Sequence, residues 1–153
     1  MPPGVKLELE LAQALPHVEA DRQQIGKVLV NLVTNAVEAL PGAGQVRIRT
    51  RVTPGDASTT PDASRVELEV ADDGCGMDAE CQRRAFDPFF SRKFPGRGLG
   101  LAVVQGIARA HAGRALIESL PGQGTTVTVE LPAQLERVLV LQPDRGARES
   151  IGS

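Results

Sequence analysis

The stretch "NLVTNAVEAL", residues 31–40, places Asn31 and Asn35 four positions apart inside a run otherwise built to be helical. Asn is a poor helix former because its side chain competes for backbone hydrogen bonds. At 100° per residue, Asn31, Asn35 and Glu38 fall within about 60° of one another, on a row extended by Lys27 and Gln24 and expected away from the apolar stripe. A solvated face accounts for Glu38, Lys27 and Gln24. It does not account for two amides in the central turns, where an exposed surface would favour Glu, Lys or Ala. An amide offers a neutral oxygen acceptor on a short stem. That suits a hard cation such as Mg2+, which takes oxygen ligands and shares them with substrate phosphates.

The second stretch is "VADDGCGM", residues 70–77, in which two acids end an apolar strand and two glycines follow. Gly74, Gly76 and Ala79 match a dinucleotide fingerprint, G-x-G-x-x-A, in spacing. Asp72 and Asp73 would then stand at the mouth of a pyrophosphate loop, where like charges repel, so that reading is rejected. A carboxylate at a strand end beside glycines suits acceptance of a hydrogen bond from an exocyclic amine, such as the 6-amino group of adenine. The third stretch, "FDPFFSRKFPGRGLGLAVV", residues 86–104, carries Gly96, Gly98 and Gly100 into a helix, with Arg92, Lys93 and Arg97 alongside. Glycines let backbone N–H groups approach an anion, and a helix N-terminus favours negative charge. No G-x-x-x-x-G-K-[ST] run exists, so this is a phosphate site of another kind than a P-loop. Phe86, Phe89 and Phe90 read as aromatic anchors beside a basic lid.

The elements that must position these residues follow from periodicity. "VKLELEL" alternates as a strand, and a helix runs from the cap at Asp21, with Gln24 completing a capping box, to the stop at Pro41-Gly42. Ile25, Val28, Leu29, Leu32, Val33, Ala36, Val37 and Leu40 form its apolar stripe. "QVRIRTRV" and "RVELEVAD" read as an antiparallel pair with Arg and Glu facing each other on the solvent side. "DAECQRRAF" is a short helix capped by Asp78, and "GLGLAVVQGIARAHAG" a longer one closed by Gly113. "RALIESL" and "TTVTVEL" add two strands about the turn at 121–124. The order strand, helix, strand, strand, helix, helix, strand, strand implies a mixed sheet with helices on one face, an α/β sandwich.

Composition narrows the function. A chain of 153 residues with 41% apolar residues and a net charge of -2 is a single globular domain without the basic surface of a nucleic-acid or membrane-surface binder. The absence of Trp and Tyr, with four Phe, leaves little surface for stacking bases. No apolar run is long enough to span a bilayer, and the first residues lack the pattern of a signal peptide. Cys75 and Cys81 are read as reduced thiols.

In order along residues 5–132 stand "NLVTNAVEA", "DDGCGM", "FDPFFSRK", "GRGLGLAVV" and "GQGTTVTVELP". This series resembles the catalytic, ATP-binding domain of bacterial sensor histidine kinases, in the superfamily that includes DNA gyrase B, MutL and the ninety-kilodalton heat-shock chaperones. The resemblance implies an α+β sandwich of the Bergerat type, with a mixed five-stranded sheet packed on one face by three helices. It implies ATP and Mg2+ as ligands. Asn35 corresponds to the Mg2+ ligand, and Asp72 to the carboxylate that holds the adenine amino group, with Gly74 and Gly76 beside it. Gly98, Leu99, Gly100 and Leu101 correspond to the box whose backbone holds the phosphates, to which the basic loop adds Gly96 and Arg97. Lys93 corresponds to a lid lysine. Thr126, with Thr125 as the other candidate, corresponds to the threonine that joins Asp72 around the adenine through water. Asn31 stands where the hydrolysing relatives carry a glutamate base; an amide cannot take a proton from water.

The resemblance also implies what the chain lacks. The only histidines, His17 and His111, stand outside any acceptor context and are read as structural. The expected partners are the histidine-bearing dimerisation domain of the same kinase and, downstream, a response regulator or receiver domain. Nucleic acid and direct membrane contact are not expected; the isolated domain is expected to be a cytoplasmic monomer. Residues 1–133 are assigned to the catalytic domain, and residues 134–153 to a tail resembling a linker and the first strand of a receiver, as in hybrid kinases. The function implied is transfer of the γ-phosphoryl of ATP to a histidine. The other reading is a nucleotide-binding regulatory module without transfer.

Overall fold

Alternating apolar residues in five segments pair into one sheet, and two amphipathic helices cover its apolar side. The structure, a computed structural model, describes residues 4–12, 20–53, 64–88 and 100–133. The elements are β1 (Val5–Glu10), α1 (Arg22–Ala39), β2 (Gly44–Thr53), β3 (Arg65–Asp72), α2 (Ala79–Arg84), α3 (Gly100–Ala110), β4 (Arg114–Leu120) and β5 (Gly124–Pro132). The sheet order is β1-β2-β3-β5-β4. β1 lies parallel to β2, and the remaining pairs are antiparallel. Element order and the mixed five-stranded sheet are those expected from the sequence.

The pleat divides the sheet into two chemically distinct faces. On one face Val46, Ile48, Val70, Val127, Val129 and Ala115 meet Val28, Leu32, Ala36 and Leu40 of α1 and Val104, Ile107 and Ala108 of α3. Val28, Val46 and Val104 are fully buried there and Leu32 nearly so. Each such aliphatic side chain contributes about 1.5–3 kcal/mol by leaving water. The other face carries the expected Arg–Glu pairs, and they extend across the sheet. Glu10 lies 3.0 Å from Arg49, Arg49 is 3.4 Å from Glu69, and Arg51 is 2.8 Å from Glu67. Glu130 of β5 accepts from Arg114 at 2.7 Å and from Arg65 at 2.9 Å.

Three local details depart from expectation. The amide row of α1 does not lie away from the apolar stripe. Asn31 and Asn35 are half-buried on the side toward α3, because a seven-residue step returns to within about 20° and sets Asn35 almost above Val28. The capping box is half formed: Asp21 Oδ1 accepts from the Gln23 and Gln24 N–H groups, but its own N–H goes to His111 Nε2 at 3.1 Å rather than to Gln24. Gly113 does not supply the left-handed residue that closes α3. Ala112 does, at φ 62°, while Gly113 is needed because a Cβ there would fall on the Glu130 carbonyl. Asp78 caps α2 as expected, accepting from Cys81 N–H at 2.8 Å.

Burial alone would raise the carboxyl of Glu130. The hydrogen bonds from Arg114 and Arg65 outweigh that and hold it below its ordinary value. A depressed folded-state value contributes stability above the unfolded value, and that contribution is lost as the pH falls through the folded one. Glu130→Gln should therefore destabilise the domain at pH 7 by about 1 kcal/mol, the scale of a charge-assisted contact to half-exposed arginines. The gap to the parent should close in acid. Urea unfolding of both proteins across pH 3–7 checks this; a gap independent of pH would contradict it.

Candidate functional site

Asp72 closes β3 on the helix-covered face, and its Oδ1 accepts from the Gly74 N–H at 2.8 Å, turning the chain sharply out of the sheet. The loop that follows is fastened at both ends. Cys75 N–H donates to the Ala39 carbonyl in the last turn of α1 at 3.1 Å, and Gly122 N–H donates to the Cys75 carbonyl at 2.7 Å. Met77 N–H donates to Ser119 Oγ at 2.8 Å. Gly76 takes φ 69°, a left-handed conformation that favours glycine. A side chain there would also collide with the Leu120 carbonyl. The two acids part company. Asp73 Oδ1 accepts from the Gln45 N–H at 2.9 Å and extends the pairing with β2, a structural task. Asp72 is half-buried at the end of β3.

Asn31 and Asn35 face the first residue of α3. A Cβ placed on Gly100 would lie 3.2 Å from Asn35 Nδ2, 3.4 Å from Asn35 Oδ1 and 3.7 Å from Asn31 Oδ1. The two amides and the positive end of an eleven-residue helix thus converge on one spot. Its backbone can approach because residue 100 has no side chain. Asn31, Asn35 and Ala39 follow one another along α1, and Ala39 touches the Asp72 loop. Along α1 the loop contact at Ala39 is therefore about one helical turn from Asn35, roughly 6 Å, and about two from Asn31, roughly 12 Å.

The donor set fits a cation shared with phosphate. Asn35 offers a neutral amide oxygen, and no cluster of three or more His, Cys, Asp or Glu among the described residues could hold a metal by itself. A cation here would draw its remaining ligands from the anion and from water, as Mg2+ commonly does. Leu101 and Phe86 each pack against the core. Lys93, Gly96, Arg97, Gly98 and Leu99 lie outside the described residues, as do Phe89, Phe90, Arg92, His17 and the tail 134–153.

The register puts the two threonines on opposite faces. Thr125 stands directly opposite Asp72, whereas Thr126 pairs with Ala71. Directly paired residues share a face, so Thr125 lies on the helix-covered side with Asp72 and Thr126 points to the Arg–Glu face. Ser119 pairs with Thr125 across β4 and β5 and was missed by sequence reasoning. The signal that identifies it is the alternation in "RALIESL", which puts Ala115, Ile117 and Ser119 on the same face. His111 is structural: its Nδ1 lies 2.8 Å from the Ile107 carbonyl. Nδ1 must therefore carry the proton, which leaves Nε2 to accept from Asp21. Cys75 is exposed, Cys81 buried, and both are free thiols.

Comparison with known proteins places this geometry. Residues 20–135 match the family described as "Histidine kinase-, DNA gyrase B-, and HSP90-like ATPase". Over 123 residues the chain is 41% identical to the signal transduction histidine-protein kinase AtoS of Escherichia coli strain K12, covering 80% of this chain and 19% of that protein. The chain thus spans about a fifth of that relative's length. Among solved structures, the mycobacterial sensor histidine kinase MprB superposes with a TM-score of 0.70 at 26% identity, over 86% of this chain and 84% of that one. Full-length ShkA, solved in complex with AMPPNP, superposes with a TM-score of 0.69 at 29% identity, over 85% of this chain and 26% of that one. The chain belongs to the histidine kinase-, DNA gyrase B- and HSP90-like ATPase family, among its sensor histidine kinases.

Proposed function

We propose that this domain binds Mg-ATP and donates the γ-phosphoryl group to a histidine on a separate dimerisation domain, as one step of two-component signalling in the cytoplasm. The observation that carries the reading is the convergence of Asn31, Asn35 and Gly100 one to two turns along α1 from the Asp72 loop. The spot beside Gly100 suits phosphate, and the Asp72 end suits a base with an exocyclic amine. A nucleotide laid along α1 meets both. That the ShkA structure contains AMPPNP, an ATP analogue, supports the same ligand class here.

In this reading Asn35 holds Mg2+ through its amide oxygen, and the backbone N–H groups at the start of α3 hold the phosphates. Bound Mg2+ supplies charge stabilisation to the transferring phosphoryl group. Asn31 contributes by what it cannot do. An amide takes no proton from water, so no hydroxide is generated beside the γ-phosphorus. Lys93 is assigned to reaching the phosphates, where its charge counts most as charge develops, and Gly98 and Leu99, with Gly96 and Arg97 of the basic loop, to holding them. The transfer itself breaks the bond from the γ-phosphorus to the leaving oxygen of ADP and forms one to an imidazole nitrogen. Positioning contributes most of the rate. The acceptor is assigned to the dimerisation domain, and a response regulator or receiver domain would then take the phosphoryl group. Residues 134–153 are assigned to the connection toward such a receiver.

Two outcomes follow. Asn35→Ala should weaken ATP binding by about tenfold or more when Mg2+ is present, the scale of one contact to a charged group, and far less without it. Calorimetric titration with and without Mg2+ reads this; an unchanged Mg2+ dependence would remove Asn35 from the metal site. Incubated with γ-labelled ATP, the chain alone should remain unlabelled, and an added histidine domain should acquire acid-labile label slowly, since linkage to its donor is missing. Stable label on His17 or His111 would contradict the assignment of the acceptor to another domain.

A further inference from the structure

The hydroxyl of Thr125 is buried against that of Ser119, and the two oxygens are 2.7 Å apart. Which one donates is decided by the other contacts of Ser119. Its Oγ lies 3.0 Å from the Gly124 carbonyl oxygen, which can only accept. It also receives the Met77 N–H at 2.8 Å. A serine hydroxyl has one proton and two lone pairs. With the proton on Gly124 and one lone pair on Met77, only a lone pair remains for Thr125, so Thr125 donates. Thr125 has a single proton, and that proton is now spent. Its oxygen presents lone pairs alone to the space it shares with Asp72, its direct partner in the sheet.

Ser119 is itself held from both sides. Its N–H donates to Gln82 Oε1 at 3.1 Å, while Gln82 Nε2 donates to the Ile117 carbonyl at 3.4 Å. Helix α2 thereby grips strand β4 at the residue that orients Thr125. We propose that Ser119 is a positioning residue for base recognition: by accepting the hydrogen bond from the Thr125 hydroxyl it leaves Thr125 only lone pairs to offer. Thr125 and Asp72 then form an all-acceptor edge. Such an edge receives the 6-amino group of a purine, directly or through a water that donates, and it opposes a 6-oxo group, which is an acceptor. Restored freedom of the Thr125 proton would let the same edge donate to that oxygen.

This inference rests on the nucleotide reading above, and the test separates the two. Binding of ATP and of inosine triphosphate, which carries a 6-oxo group, is measured on the wild-type chain and on Ser119→Ala and Ser119→Thr, each checked for folding by thermal melting. Wild type should prefer ATP. Ser119→Ala should narrow the ATP-to-inosine-triphosphate ratio by roughly two- to tenfold, the range of one neutral hydrogen bond, and Ser119→Thr should keep the ratio. If Ser119→Ala does not fold, Ser119→Cys, whose sulfur accepts weakly, should narrow the ratio in the same direction. A variant that weakens both nucleotides equally, with the ratio unchanged, overturns the positioning role and leaves Ser119 a purely structural residue. Absence of any ATP preference in the wild type overturns the nucleotide reading itself, and the inference with it.

Discussion

The site depends on how the Asp72–Met77 loop is seated. It leaves the sheet between the last turn of α1 and the β4–β5 turn, and it is bonded to both through Cys75 and Met77. The Ala39 carbonyl would otherwise end α1 without a partner; the loop supplies one from the Cys75 N–H. The same bond fixes where Asp72 stands relative to Asn35, one turn back along the helix. Gly74 and Gly76 make the seat possible, since a Cβ at either would press into the Ala39 or the Leu120 carbonyl.

The sheet supports that seat with unlike means on its two faces. Toward the helices it uses aliphatic burial, which carries no titrating group. Away from them it uses arginines whose stems cover the strands while their guanidinium groups pair with Glu67, Glu69 and Glu130. Glu67 and Glu130 are buried beneath those pairs, while Leu116 of β4, paired with Thr128, stays exposed on the same face. Asp72, Thr125 and Ser119 lie on the helix-covered face, in a polar row at the end of the hydrophobic layer. No helix among the described residues is long and apolar enough to cross a membrane.

Much of this was legible in the sequence because period and punctuation agreed. The strands in "QVRIRTRV" and "RVELEVAD" alternate cleanly, and Asp21, Asp78 and Pro41-Gly42 mark helix ends where they are found. The candidate site boxes stand out in the sequence because their residue types conflict with local propensity, as two asparagines do within α1. What was not legible depended on partners distant in sequence. Thr125 and Thr126 are chemically equal, and only the β3–β5 register assigns one to each face. The donor group of Asp21 finds His111, 90 residues away, instead of Gln24. The row holding Asn31 and Asn35 was expected away from the apolar stripe because α3, whose first residue these amides face, comes into place only through tertiary packing.

The central claim is that one ligand touches the amide cluster and the Asp72 loop together. Nitrogen–proton correlation spectra of the labelled chain, recorded as Mg-ATP is added, test it directly. The account requires the side-chain amides of Asn31 and Asn35 and the backbone amides of Gly74, Gly76 and Gly100 to shift together with a single affinity. Amides of Glu67, Glu69 and Glu130 on the opposite face should stay in place. Shifts confined to the Arg–Glu face, or movement at the amide cluster without any at Gly74 and Gly76, would contradict it.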